Sequence, residues 1–176
     1  NIQVGGVDEA DIVKTDGEYI YTVSSITSGA YYASYIGYYD TDVNNAIYII
    51  KADPQDPRVI SKINLDNDSV PAGLFLSQDS SRLVVLASRY QVYAYDSPRS
   101  DFAMLRSYHS DVYTYINVYD VSDKASPVLA RNFTISGSYF NSRMIGNYVY
   151  AVVSQPAGVF DETVVLPKVY ESTKGS

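Results

Sequence analysis

Apolar residues along this chain come in short runs, either alternating with polar residues or nearly continuous, and no stretch carries the three-and-four spacing of an amphipathic helix. Three of the runs are versions of one another: "GEYIYTVS" from Gly17, "SRLVVLAS" from Ser81 and "GNYVYAVV" from Gly146. Their starts are 64 and 65 residues apart (81 − 17 and 146 − 81). A second pair follows the first two. "AIYIIKADPQDPRVISKINL" (Ala46 to Leu65) parallels "TYINVYDVSDKASPVLARNFTI" (Thr114 to Ile135), each two apolar runs around a Pro-containing turn. "ADIVKT", "AGLFLS" and "YFNSRMI" precede the three aligned segments. Each unit therefore predicts four strands, with a tight turn after the first and a long insertion after the second.

The second strands are apolar at odd and even positions alike, as in "LVVLA" and "YVYAVV". A strand of that kind is covered on both faces of its sheet. Four-stranded antiparallel units covered on both faces and repeated in series predict the radially stacked blades of a β-propeller. A two-sheet sandwich would leave one polar face on each strand. The expected class is all-β, with about two and a half propeller-type blades: a first unit over 1–70, a second over 71–135 and a partial third over 136–176. Tyr19, Tyr21, Leu83, Val85, Tyr148 and Tyr150 are expected on central strands, with Ile20, Val84 and Val149 buried on the opposite face.

Composition removes several functions. The 176 residues carry a net charge of −7 with no Lys/Arg cluster, which argues against nucleic acid. No apolar run reaches the ~18 residues of a transmembrane helix. There are no cysteines, hence no disulfide, thiolate metal site or thiol nucleophile. Nineteen tyrosines without a tryptophan suit half-buried pleated surfaces whose hydroxyls stay wet. No signal peptide is visible, and the abrupt start at Asn1 leaves that observation without weight.

"VGGVDEADIVKTDGEYIYTVS" (Val4 to Ser24) closely resembles the opening signature of a family of secreted prokaryotic β-propeller proteins from archaea and some bacilli, distantly related to WD40 repeats. "INVYDVSDKASPVLA" (Ile116 to Ala130) looks like a blade motif of the same group. The resemblance implies a propeller and a secreted or cell-surface location, and carries over no catalytic residue. It also implies further blades, so that this chain is a fragment stopping inside its third unit. Blade faces left bare by such a stop are expected to associate with the remaining blades or another copy, or to be covered by residues 156–176.

Candidate chemistry is sparse. Asp8, Glu9 and Asp11 cluster before the first strand, near the expected channel mouth. They serve as turn and edge chemistry, or hold Ca²⁺, which takes six to eight oxygens. Ca²⁺ is the one cofactor in view; the working expectation is none. Asp16-Gly17 reads as a hairpin turn. "DTDVNN" (Asp40 to Asn45) starts like an EF-hand loop, but Lys51 stands where a bidentate Glu is needed. "DND" at Asp66 is weaker. "DEAD" has no accompanying phosphate loop. The single histidine, His109, has Ser107, Ser110 and Asp111 as chain neighbours, which point apart rather than forming a triad. Asn67 and Asn132 head glycosylation sequons.

The insertions share one slot and so gather at one end of the blades. They are long and rich in tyrosine, a composition suited to protein or glycan ligands. The candidate contact residues are Tyr31, Tyr32, Tyr35, Tyr38 and Tyr39 in the first insertion, and Tyr93, Tyr95 and Tyr108 in the second. The bland alternative is that the insertions are extra hairpins. The expected function is a non-catalytic binding or scaffolding module; the alternative is a metal- or carboxylate-dependent hydrolase at the channel mouth.

Overall fold

The computed structural model describes residues 6–24, 45–66, 69–95, 107–155, 158–160 and 163–173, and every regular element in them is a strand. A short strand, β1 (Val7–Glu9), is followed by an antiparallel sheet of β2 (Val13–Thr15), β3 (Tyr19–Ser24), β4 (Ala46–Lys51) and β5 (Arg58–Asn64) in that order. The β2–β3 turn is the expected Asp-Gly turn. Gly17 has φ of 93°, a left-handed conformation that disfavours any side chain, and the Asp16 carboxylate accepts the amides of Glu18 and Tyr19 at 3.0 and 2.7 Å.

The second sheet repeats the plan with β6 (Ser69–Leu76), β7 (Arg82–Tyr95), β8 (Ser107–Asp120) and β9 (Val128–Ser136). The chain continues through β10 (Ser138–Ile145), β11 (Tyr148–Ser154), a small hairpin of β12 (Gly158–Phe160) and β13 (Thr163–Val165), and β14 (Val169–Thr173). The third sheet has the order β1-β10-β11, while β14 adds to β9 as a fifth strand of the second sheet. Both β1 and β14 thus pair outside the repeat unit that precedes or follows them in sequence.

The three sheets are stacked, and the second is the middle one. Leu74, Leu83, Val85, Tyr119 and Val121 on one of its faces pack against Tyr21, Ile47, Ile49, Ile63 and Leu65 of the first sheet. Phe75, Val84 and Leu86 on its other face pack against Met144 of the third, with Ala10, Tyr139 and Val149 alongside. Residues 83–87 are buried without a break, because neighbouring side chains of one strand enter different interfaces. At roughly 1.5–3 kcal/mol for each fully buried aliphatic side chain, these interfaces are the main favourable term of the fold.

At the inner edges the sheets come close enough for their backbones to bond. The amide of Leu74 donates to the carbonyl of Asp11 at 2.8 Å, and a Cβ built on Gly73 would sit 2.7 Å from that of Ala10. Only glycine permits this approach.

One expectation fails. Tyr148 and Tyr150 lie on an edge strand, 72% and 57% exposed, since no strand among the described residues pairs with the far side of β11. With Ile145 and Val152 they form the outward face of the third sheet. Tyr21, Leu83, Val85 and Val84 are buried as expected, and Tyr19, Ile20 and Val149 are half-buried.

Leu83→Ala and Leu86→Ala, which empty opposite faces of β7, are expected to cost about 2–5 kcal/mol each in urea unfolding. Val152→Ala, on the exposed face, is expected to change stability by less than about 0.5 kcal/mol. Equal losses at all three positions would contradict the stacking. Gly73→Val should destabilise by about 1–3 kcal/mol through its clash with Ala10.

Candidate functional site

The acidic cluster is divided by strand geometry. Asp8 and Glu9 lie within β1 itself rather than in a turn, and successive strand residues point to opposite faces. Asp8 receives the Lys14 ammonium on both carboxylate oxygens, at 2.7 and 2.8 Å, and the same nitrogen donates to the Glu9 carbonyl at 2.7 Å. Glu9 pairs instead with Arg143, its register partner on β10, at 3.1 Å. Asp11 is exposed and caps the Ile12 amide at 2.7 Å. The three carboxylates therefore do not converge on one point. Among the described residues no group of three or more Asp, Glu or His is placed to hold a metal ion.

A tighter constellation sits where the first and second sheets meet. The turn between β8 and β9 brings the Lys124 ammonium to the Ser80 carbonyl at 2.5 Å and to the Asp16 carboxylate at 3.9 Å. It also lies 5.9 and 5.7 Å from the ring centres of Tyr19 and Tyr21, within cation–π range. The Tyr21 hydroxyl donates to Asp16 at 2.9 Å, and Ser61 donates to the Lys124 carbonyl at 2.6 Å. Burial alone would raise the Asp16 pKa. The Tyr19 amide, the Tyr21 hydroxyl, the Glu18 amide and Lys124 outweigh it and hold the carboxyl below its usual range. Burial, then the bond to Asp16, pushes the Tyr21 phenol up, so it stays a donor at any ordinary pH. The arrangement is a latch between sheets. Sequence reading missed it because Lys124 has no lysine at the matching place in "ADPQDPRV".

At the opposite end of the second sheet β7 and β8 run on as a ribbon. Neighbouring strands support them only as far as Arg89 and Tyr113, paired with Ser69 and Ser136. Six further pairs, from Tyr90↔Val112 to Tyr95↔Ser107, have no strand beside them among the described residues. At ~3.3 Å per residue the ribbon projects roughly 20 Å. Tyr93 stands opposite His109, and Tyr108 opposite Ala94, so the candidates of the second insertion share one hairpin. His109 has Tyr93 as its cross-strand neighbour rather than a serine or a carboxylate. Tyr31, Tyr32, Tyr35, Tyr38 and Tyr39, with Asp40 to Asn44 and Asn67, lie outside the described residues. Asn45 is buried and donates to the Ser69 carbonyl at 2.6 Å. Asn132 is inside β9, its amide bonded to Asn117.

A groove of about 670 Å³ lies between the second and third sheets. Ile116, Val118, Phe133 and Ile135 form its floor, Tyr148 and Val149 one wall, and the β6–β7 turn with Asp79 its end. Nothing in the sequence pattern singled it out, because it arises from which strands the third sheet has.

Asp16→Asn is expected to cost about 1–2 kcal/mol at pH 7, the scale of a lost charged hydrogen bond. The folded pKa lies below that of an ordinary carboxylate, so this contribution is complete above the ordinary value and fades as pH falls through the folded one. The gap between variant and parent should narrow in urea titrations as pH is lowered through the folded pKa and Asp16 takes up its proton. A gap independent of pH would exclude a role for the charge. Millimolar Ca²⁺ is expected to move the melting temperature by less than about 1 °C. A rise of several degrees that is lost in Asp8→Asn would restore the metal site.

Comparison with family models matches residues 1–174 to the β-propeller domain. No curated protein and no solved structure matches the chain. Stacked antiparallel sheets built on a repeat of about 65 residues are what that match requires. The chain belongs to the β-propeller domain family.

Proposed function

We infer that this propeller is an exported, non-catalytic binding or scaffolding module whose ligand, a protein or a glycan, is taken at the end bearing the insertions. The observation that carries the reading is the β7–β8 ribbon. Six cross-strand pairs extend past the last residues of β7 and β8 that pair with a third strand among the described residues. An isolated two-stranded ribbon is marginal by itself in water. A partner surface offsets that cost, and its tyrosines suit either ligand class: broad contact, little entropy to lose and a polar tip. Tyr90, 61% exposed at the ribbon base, has the same character. The exported location rests on the resemblance of Val4 to Ser24 to secreted propellers. The outward face of the third sheet, with Tyr148, Tyr150 and Val152, is a second association surface for further blades or another copy.

Replacing residues 90–112 with Asn-Gly joins Arg89 to Tyr113 through a type I′ turn of the right length. The shortened protein should melt within a few degrees of the parent, since no described core residue is removed. Both proteins are then passed over arrays of polysaccharides and displayed peptides. Binding by the parent that disappears with the ribbon supports the reading. Identical profiles for the two proteins, with or without hits, overturn it.

A further inference from the structure

β14 reaches the second sheet from the third unit. It pairs with the outer edge of β9 through five residues, from Val169↔Ile135 to Thr173↔Arg131. All five are exposed, Val169 at 65% and Tyr170 at 55%. The central strand β7 is held by side chains packed on two faces. β14 is held along one edge, by its backbone. The pairing runs on to Lys168, whose carbonyl accepts the Ser136 amide at 2.9 Å and whose amide donates to the Ser136 hydroxyl at 3.4 Å. A strand attached in this way opens at low local free energy.

One side chain of β14 adds a charge. Oε1 of Glu171 accepts Nη2 of Arg131 at 2.6 Å and Nε at 3.1 Å. Arg131 stands ready for a carboxylate. It and Phe133 are two residues apart on β9 and share a face, and its guanidinium lies 4.8 Å from the centre of the Phe133 ring. A guanidinium stacked on a ring of its own strand has less freedom to lose when an acid arrives. Glu171 is the register partner of Phe133, so an acid at that one position of a paired strand meets the guanidinium. The neighbouring positions, Tyr170 and Ser172, stand opposite Thr134 and Asn132 on the other face.

We propose that the outer edge of β9 is a strand-addition site for an extended, acid-bearing segment of a partner protein, and that β14 fills the site in cis until the partner displaces it. The partner's carboxylate stands opposite Phe133 and pairs with Arg131. In strand addition main-chain bonds supply affinity and alternate side chains supply selection. The edge from Arg131 to Ser136 offers the first. Arg131 offers the second, since its charge favours an acid at one position of the incoming strand over a neutral or basic residue. An uncovered edge pairs without selection. β14 prevents that and, exposed along its whole length, gives way without opening either core interface.

The probe is a fluorescent peptide of residues 166–175, titrated into the whole chain and read by anisotropy. Hydrogen exchange on the complex uses an isotope-labelled peptide, so that its fragments are told from those of the protein. Saturable binding is expected, with protection lost over residues 169–173 of the protein and kept over 131–135. A peptide carrying Glu171→Gln should bind about two- to fivefold more weakly, the size of an exposed ion pair. Glu171→Gln in the protein should strengthen binding by a similar factor, and Arg131→Gln should remove the difference between the two peptides. Protein carrying Tyr170→Pro, which unpairs β14, should bind at least about tenfold more tightly, because the competing strand in cis is gone. Its fold is checked by circular dichroism. The protein shortened at residues 90–112 should bind the peptide like the parent, which separates this site from the ribbon. No saturable binding, binding to the Tyr170→Pro protein alone, equal affinity for the two peptides, or protection kept over 169–173 would each overturn the proposal. So would a dimer on light scattering that exchanges β14, which gives the edge to a second copy.

Discussion

The structure depends on one strand being buried from both sides. Leu83 to Ala87 of β7 send alternate side chains into two different interfaces, and none of the five is exposed. No single pair of sheets satisfies such a strand. It requires a sheet on each side, so the three sheets must stack in series. Among the described residues the two outer sheets each keep a face against which no further sheet packs. The third shows this most plainly at Tyr148, Tyr150 and Val152.

Stacking also separates the two ends of the sheets. At one end lie the tight turns, where Asp16, Tyr21, Ser80 and Lys124 latch the first sheet to the second with charged and aromatic contacts. At the other end β7 and β8 outrun the strands that pair with them among the described residues and continue as a ribbon. Asp8 and Glu9 each neutralise a different cation.

Much of this was legible in the sequence. Continuous apolar runs such as "LVVLA" announced two-sided burial, and the repeat spacing announced the order of strands. The Asp16-Gly17 turn was readable from its chemistry. Other features were not. The segments "VDE" and "VYEST" carry too little apolar pattern to declare themselves as β1 and β14; free sheet edges recruit them. Repeat equivalence placed Tyr148 and Tyr150 on a second strand correctly, but the presence of a third strand beside it is a property of the assembled sheet. The sequence left the acidic cluster open between turn and edge chemistry and a Ca²⁺ site, because sequence proximity hides the alternation of strand faces. Lys124 escaped notice because its partners are more than 40 residues away along the chain. The tyrosines of the first insertion stay a compositional argument, while Tyr93, Tyr95 and Tyr108 acquire a common hairpin.

Native-state hydrogen exchange tests the two-sided burial of β7 most directly, because it reads each amide of a strand separately. The account predicts that amides 83–87 exchange only through global unfolding and are the slowest in the chain. Those of the edge strand β11 should exchange through smaller openings. Amides 83–87 exchanging at the same low free energy as β11 would contradict the claim that the second sheet is the buried middle of the stack.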